Sequence, residues 1–123
     1  MSWTSFNDKT KYVYQAVTIA SGSSLTAAID MQGYALLRID LPGTWTAASL
    51  TFQVSVDGTN YVNLYKEGSE YTKTDAAASR GVAINPADAV LLHRYLKIRS
   101  GTAASPVNQQ AARTLTLVAA PIF

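Results

Sequence analysis

The sequence holds few residues of the types that perform acid–base or nucleophilic chemistry. His93 is the single histidine, and the eight acidic residues are spread over 123 positions. A histidine that acts as a general base needs a serine and a carboxylate beside it. No serine stands in a G-x-S-x-G nucleophile motif. We therefore interpret His93 as a structural or surface residue.

Two groups of acidic and amide residues suggest narrower hypotheses. Glu67 and Glu70 lie close in sequence, but the paired carboxylates of a glycosidase normally face each other from separate strands, so solvated loop charges are the simpler interpretation. Asp57 and Asn60 offer oxygen ligands, yet the spaced carboxylates of a calcium loop are missing. Because the chain also has no cysteine, we expect no catalytic residue, no metal site and no cofactor.

Aromatic side chains are the remaining candidates for ligand binding. Trp45 lies in the turn-rich segment 42–46, and together with Tyr61 and Tyr65 it offers surfaces on which a sugar ring can stack. A loop tryptophan can equally cap the open end of a β-sandwich. Both interpretations of Trp45 remain open at this point.

Basic residues give little support to nucleic-acid binding. Tyr95, Lys97 and Arg99 alternate along one predicted strand, and such a strand can bind single-stranded nucleic acid. A solvated face, or one that meets an acidic protein, explains the same pattern more simply. The net charge of +2 is too small for the footprint of a nucleic-acid-binding protein, so we expect no nucleic-acid partner.

Apolar residues near both ends of the chain indicate contacts with other subunits. Trp3 and Phe6 precede the first predicted strand, in an N-terminal arm of residues 1–10 that has little core of its own to fill. The other end carries apolar bulk where disorder is common, in Pro121, Ile122 and Phe123. We expect these five residues to anchor the protein on neighbouring subunits, with the long loop 101–112 as a secondary contact.

The elements that must position these residues show a period of two. Short alternating segments separated by turn residues are typical of an antiparallel sandwich or barrel. The alternation directs Leu37 and Val56 into the core, in the segments 34–41 and 49–56. The other predicted strands are 12–19, 25–31, 61–65, 70–74, 80–84, 95–99 and 113–119. Residues 85–92 form the single helical candidate, with Asn85 as its cap and Pro86 in its first turn.

Length and composition complete the expected architecture. With 48% apolar and 15% charged residues, 123 residues suffice for one domain with a real core. We predict a single all-β domain over residues 1–123, a two-sheet antiparallel β-sandwich of jelly-roll type with eight or nine strands and at most one short helical turn. The chain starts without the basic and apolar run of a signal peptide, and no apolar stretch is long enough to span a bilayer. We therefore expect a soluble protein made in the cytosol, with no membrane partner.

Two segments resemble the galactose-binding-like, discoidin-type jelly rolls. Residues 50–64 are similar to the S-x-D-G-x-x-W-x-x-L hairpin of that superfamily, and Arg94-Tyr95-Leu96-Lys97-Ile98 is similar to its R-Y-[IVL]-[KR]-[IVL] strand. Tyr61 stands where the family has tryptophan. The resemblance implies the fold more than a sugar ligand, since these segments are mainly scaffold in that superfamily.

A second resemblance covers most of the chain from Pro42 onward. The order of segments is similar to that in small proteins found among the structural genes of tailed phages; these segments are residues 42–46, 50–58, 85–88, 94–100, 106–109 and 113–118. It implies a virion component made in the bacterial host cytoplasm: a capsid decoration or cement protein, or a head or tail accessory protein. Its implied partners are the major capsid or tail protein of the same virion and further copies of itself. The alternative is a carbohydrate-binding module or adhesin that recognises surface glycans.

Overall fold

Two antiparallel sheets form the protein in the computed structural model, which describes residues 3–122. The five-stranded sheet has the order β1 (Thr4–Ser5), β2 (Val13–Ile19), β11 (Arg113–Pro121), β4 (Tyr34–Asp40), β9 (Gly81–Ala83). The four-stranded sheet has the order β3 (Ile29–Asp30), β10 (Tyr95–Ser100), β5 (Leu50–Ser55), β6 (Val62–Asn63). A separate hairpin consists of β7 (Tyr65–Lys66) and β8 (Ser69–Glu70).

The expected all-β, antiparallel sandwich is thus confirmed. Residues 3–122 contain eleven strand segments, of which five have only two residues. One helical stretch is present in the same range: α1 (Pro86–Ala89) continues into a 3₁₀ turn at Val90–Leu92. As expected, the Asn85 side chain caps α1 by accepting a hydrogen bond from the Ala87 amide. No helix within residues 3–122 has the length and apolarity needed to cross a bilayer.

One apolar core lies between the two sheets. Residues from every long strand are fully buried there, including Ile19, Leu117, Phe52 and Ile98. Burial of each such side chain stabilises the fold by about 1.5–3 kcal/mol relative to exposure. The strict alternation in β2, where every second residue is buried, shows why the sequence pattern predicts this sheet well.

A β-bulge in β4 changes the predicted orientation of Leu37. The pairing of β4 with β11 shifts between Val118 and Ala119, so that Val118 faces Arg38 whereas Ala119 faces Leu36. Leu37 is the extra residue of the bulged strand. Leu36 is consequently fully buried, and Leu37, predicted to point inward, lines a groove on the outer face of the five-stranded sheet. The prediction for Leu37 was wrong because the bulge interrupts the alternation at this residue, whereas Ile39 and Leu41, which follow it, are buried as predicted.

The predicted burial of Val56 and the predicted length of the strand 25–31 were also wrong. Val56 is 91% exposed, because β5 ends at Ser55 and the chain then turns away from the core. The predicted strand 25–31 is reduced to the two residues of β3, with isolated bridges at Leu25 and Thr26. The Thr26 hydroxyl accepts a hydrogen bond from the Ile98 amide at 3.0 Å. A side chain, rather than a continuous strand, therefore supplies an acceptor at this edge of the sheet.

The β7–β8 hairpin covers part of the outer face of the four-stranded sheet. Glu67 and Gly68 both have positive φ, as a two-residue hairpin turn of the mirror-image type requires. Glu70 accepts a hydrogen bond from Arg99 at 3.1 Å, and Arg99 also donates to Asn63. Arg99 is only 6% exposed, so the expected solvated basic face of β10 ends at Lys97.

Candidate docking surface

Trp3 packs on the domain to which it belongs. Its indole N–H donates to the main-chain oxygen of Asp30 at 3.0 Å, and its ring lies 5.5 Å from that of Tyr34. The side chain is half-buried against the core. Because Asp30 belongs to the four-stranded sheet and Tyr34 to the five-stranded one, Trp3 closes the sandwich on this side. Its predicted role as an anchor on other subunits stays a prediction.

Phe6 forms part of a groove on the outer face of the five-stranded sheet. Its ring lies 4.9 Å from that of Tyr14 on β2. The groove has a volume of about 420 Å³, and we call it the aromatic groove; its lining residues are Phe6, Asp8, Tyr12, Leu37, Arg38, Ala83 and Val118. Tyr12 is 47% exposed. Within the predicted arm of residues 1–10, Thr4 and Ser5 thus form the edge strand β1, and Phe6, one of the predicted anchors, lines an apolar depression.

Strand register explains why these apolar residues come together. Tyr14 pairs with Val118, Val118 with Arg38 and Arg38 with Ala83, so one row crosses four strands on the outer face. The β4 bulge adds Leu37 to this row. At the other end of the same face, the paired residues are Thr18 and Thr114, which is the polar composition normal for a solvated sheet. The aromatic groove is thus a local exception on an otherwise polar face.

A second apolar depression lies beside β5 and β6. Its volume is about 480 Å³, and its apolar lining residues are Val54, Val56, Val62 and Leu91. We call it the valine groove. Val62 pairs with Val54 and so points to the same side of the sheet, yet it is 64% exposed. Here the apolar interior of the sandwich opens to solvent.

The polar rim of the valine groove contains the serine, aspartate and histidine that catalysis would require, but in a different arrangement. The Ser55 hydroxyl donates to Asp57 at 2.9 Å, not to His93. Hydrogen bonds from the backbone of Asn60 and Thr59 hold the pKa of Asp57 far below its ordinary value. Asp57 is therefore engaged in holding its own turn, and the arrangement is that of a structural turn beside an apolar surface.

The three residues predicted to stack on sugars lie in different environments. Trp45 is 5% exposed and donates its indole N–H to the Ala48 oxygen at 3.2 Å. An indole this deeply buried has no free face, so the alternative interpretation, a cap on the sandwich, applies. Tyr61 is half-buried with the Lys97 ammonium 4.3 Å from its ring centre. Tyr65, on β7, is 60% exposed.

Of the remaining acidic candidates, Glu70 forms an ion pair and Glu67 lies in an exposed turn. Glu70 holds Arg99 and also accepts hydrogen bonds from the Ala103 amide, whereas Glu67 is exposed in the hairpin turn. Asp88 accepts from Lys66 at 2.6 Å and from the Tyr71 hydroxyl at 3.1 Å. Desolvation, aided by this bond, raises the pKa of Tyr71 to about 12. These groups tie the β7–β8 hairpin to the domain.

The C-terminal anchors predicted from the sequence lie at the end of β11. Pro121 pairs with Tyr34 and is half-buried, as is Ile122; Phe123 lies outside the described residues. Pro121 and Trp3 thus both neighbour Tyr34. No group of three or more histidine, aspartate or glutamate side chains within residues 3–122 is arranged to hold a metal ion.

Phe6 is identifiable as a candidate from the sequence, whereas the residues that surround it in the groove are not. The outward orientation of Tyr12 and Tyr14 can be recognised only if a turn is assumed before Val13. The outward orientation of Leu37 can be recognised only if the bulge is known. The sequence does contain one indication of the groove. Tyr12 and Tyr14 are two large aromatic residues on either side of a buried valine.

Comparisons with known proteins add no assignment. No protein-family model matches the sequence, and a search of curated proteins found no match.

Proposed function

We propose that this protein is a non-enzymatic structural protein of a tailed-phage virion that acts through protein–protein contacts. In this role it is a capsid decoration or cement protein, or a head or tail accessory protein. The proposal rests on one observation, the aromatic groove. A sheet face that is polar at one end bears exposed tyrosines, a phenylalanine and a leucine at the other.

Physical chemistry favours a protein as the occupant of the aromatic groove. Burial of apolar surface contributes about 25 cal/mol per Å² of stabilisation. Apolar surface that stays exposed in the free protein can gain this stabilisation when a partner covers it. Contiguous apolar patches rimmed by polar residues mark interaction sites in soluble proteins. Aromatic side chains and arginine are the types enriched at the centre of protein interfaces. Phe6, Tyr12, Leu37 and Arg38 supply that combination here.

The assignment to a virion is supported by the resemblance of the segments after Pro42 to small phage structural proteins. A decoration protein must also bind a lattice without adding chemistry of its own, which suits a domain in which ten of the 18 charged residues form intramolecular ion pairs. Five such pairs occur among the described residues.

The glycan-binding alternative loses its main candidate because Trp45 is buried. Tyr61 and Tyr65 remain, but they belong to different elements and Tyr61 already carries Lys97 on its ring. Neither ring lines the aromatic groove or the valine groove.

The test is binding of the purified protein to particles produced by the genome that encodes it. Leu37→Asp places a charge in the aromatic groove, and Thr114→Asp adds the same charge at the polar end of the same face. Tyr12→Ser is a second groove variant that leaves the β4 bulge intact. Thermal melts verify that each variant is folded.

We expect the unmodified protein and Thr114→Asp to co-sediment with particles to saturation, and both groove variants to bind at least several-fold more weakly. Equal binding by all four proteins would show that the groove is not the docking site. Failure of the unmodified protein to bind would overturn the virion role.

A further inference from the structure

Few contacts hold the N-terminal segment, residues 3–6, to the rest of the domain. β1 pairs with β2 through two residues only, Thr4 with Tyr14 and Ser5 with Val13. Both residues of β1 are exposed. The segment is therefore retained mainly by the half-buried rings of Trp3 and Phe6, one at each end of the strand.

The receptors for both rings lie on other elements of the fold. Trp3 contacts Asp30 and Tyr34, and Phe6 contacts Tyr14. These three residues are positioned by β2, β3 and β4 through pairings with β10 and β11 that do not involve β1. A receptor formed in this way accepts the same segment whether it comes from the same chain or from another copy.

The connection between β1 and β2 is the only part that would change in such an exchange. Residues 7–11 are all exposed. Their turn is held by Asp8, whose carboxylate accepts from the Thr10 hydroxyl at 2.6 Å and the Thr10 amide at 2.9 Å. Release of this turn costs a few solvent-exposed hydrogen bonds, which water replaces.

We propose that residues 3–6 exchange between two copies of the chain, so that each copy seats its Trp3 and Phe6 on the other. This inference rests on the proposed function, because it names the partner through which the protein assembles. Reciprocal exchange of an identical element keeps every native contact and is a low-cost route to a dimer.

Cysteine pairing detects this exchange directly, since the chain contains no cysteine. Ser5 and Val13 are Cα partners, and the Phe6 amide bonds the Tyr12 oxygen in the neighbouring pair. Ser5 and Val13 therefore form the closer, non-hydrogen-bonded kind of pair, with Cα atoms about 4.5 Å apart. That separation lies within the range that a disulfide spans.

The experiment mixes the full-length Ser5→Cys protein with the full-length Val13→Cys protein, oxidises the mixture and runs it on a non-reducing gel. A control replaces the second protein by Ser105→Cys, which carries its thiol on an exposed loop. We expect a mixed disulfide dimer from the first mixture, little from the control, and several-fold less when Trp3→Ala is added to the Ser5→Cys chain.

Absence of the mixed dimer, combined with an intramolecular disulfide in the Ser5→Cys, Val13→Cys double variant, would overturn the exchange. The same result with unimpaired binding to particles would leave the proposed docking function standing. Equal cross-linking in the control mixture would also overturn the exchange, because it would show that the thiols meet by random collision.

Discussion

Trp3 donates its indole N–H to the main-chain oxygen of Asp30 across 3.0 Å. This bond joins two positions 27 residues apart and links the edge strands of the two sheets. Trp3 precedes β1 in the five-stranded sheet, whereas Asp30 lies in β3 of the four-stranded sheet. An N-terminal residue thereby helps to close the side of the sandwich where neither edge strand is longer than two residues.

Trp3→Phe tests the contribution of this bond. The substitution keeps an aromatic ring near Tyr34 but leaves the Asp30 oxygen without its donor. We expect a loss of about 1 kcal/mol in the free energy of unfolding, measured by urea denaturation. Trp3→Ala also loses the ring contacts, and we expect a loss approaching about 3 kcal/mol. Equal stability of all three proteins would show that the segment is detached in solution.

Trp45 offers a spectroscopic check of the buried cap. The chain has two tryptophans, so Trp3→Phe leaves Trp45 as the single one. Because Trp45 is 5% exposed, we expect blue-shifted emission, weak quenching by acrylamide and no response to added polysaccharides. Strong quenching, or a saturable response to a glycan, would restore Trp45 as a sugar-binding residue.

The ion pair between Lys66 and Asp88 predicts how stability depends on pH. The hydrogen bond from Lys66 lowers the pKa of Asp88, and the bond to Asp88 raises the pKa of Lys66. The carboxylate therefore stabilises the fold above its ordinary pKa of 3.8 and ceases to do so as pH falls further. The ammonium stabilises it below 10.5, and this contribution is lost as pH rises through the raised pKa.

Asp88→Asn should flatten both limbs of this profile, measured as the free energy of unfolding from acid to alkaline pH. Asp40→Asn is the matched control, because it removes an exposed ion pair with Arg38 and exposed pairs contribute little. If Asp88→Asn has the same profile as the unmodified protein, the Lys66 contact does not form in solution.

The buried pair of Arg99 and Glu70 should behave differently from an exposed one. Glu70→Leu leaves the Arg99 guanidinium buried without its carboxylate, and we expect a loss of about 3 kcal/mol. Combining Glu70→Leu with Arg99→Met removes both charges, and we expect most of that loss to be recovered. A double variant as unstable as the sum of the two single variants would show that the charges are independent.

The sequence predicted the long strands well because each has one face that is solvated or polar. In β2 and β10, alternation alone identifies the buried residues, among them Val17, Leu96 and Ile98. The helical turn was predictable from Asn85 and Pro86, since capping is a local interaction. The turns with positive φ at Gly22, Gly33 and Gly58 also follow from local sequence.

The candidate site was less predictable because it depends on pairing between distant strands. The outward position of Leu37 follows from a bulge opposite Val118 and Ala119, and no local pattern encodes that shift. The burial of Arg99 depends on a hairpin more than 25 residues away in the chain. Trp45 was ambiguous because a loop tryptophan suits a binding surface and a cap equally well.

The proposed role of this chain as a structural component of a virion is tested by its copy number in purified particles. Quantitative mass spectrometry of density-purified virions and of empty heads, normalised to the major capsid protein, gives that number. For a structural component we expect a fixed ratio that survives repeated purification. Absence of the chain from intact particles, while it is abundant in the infected cell, would contradict it.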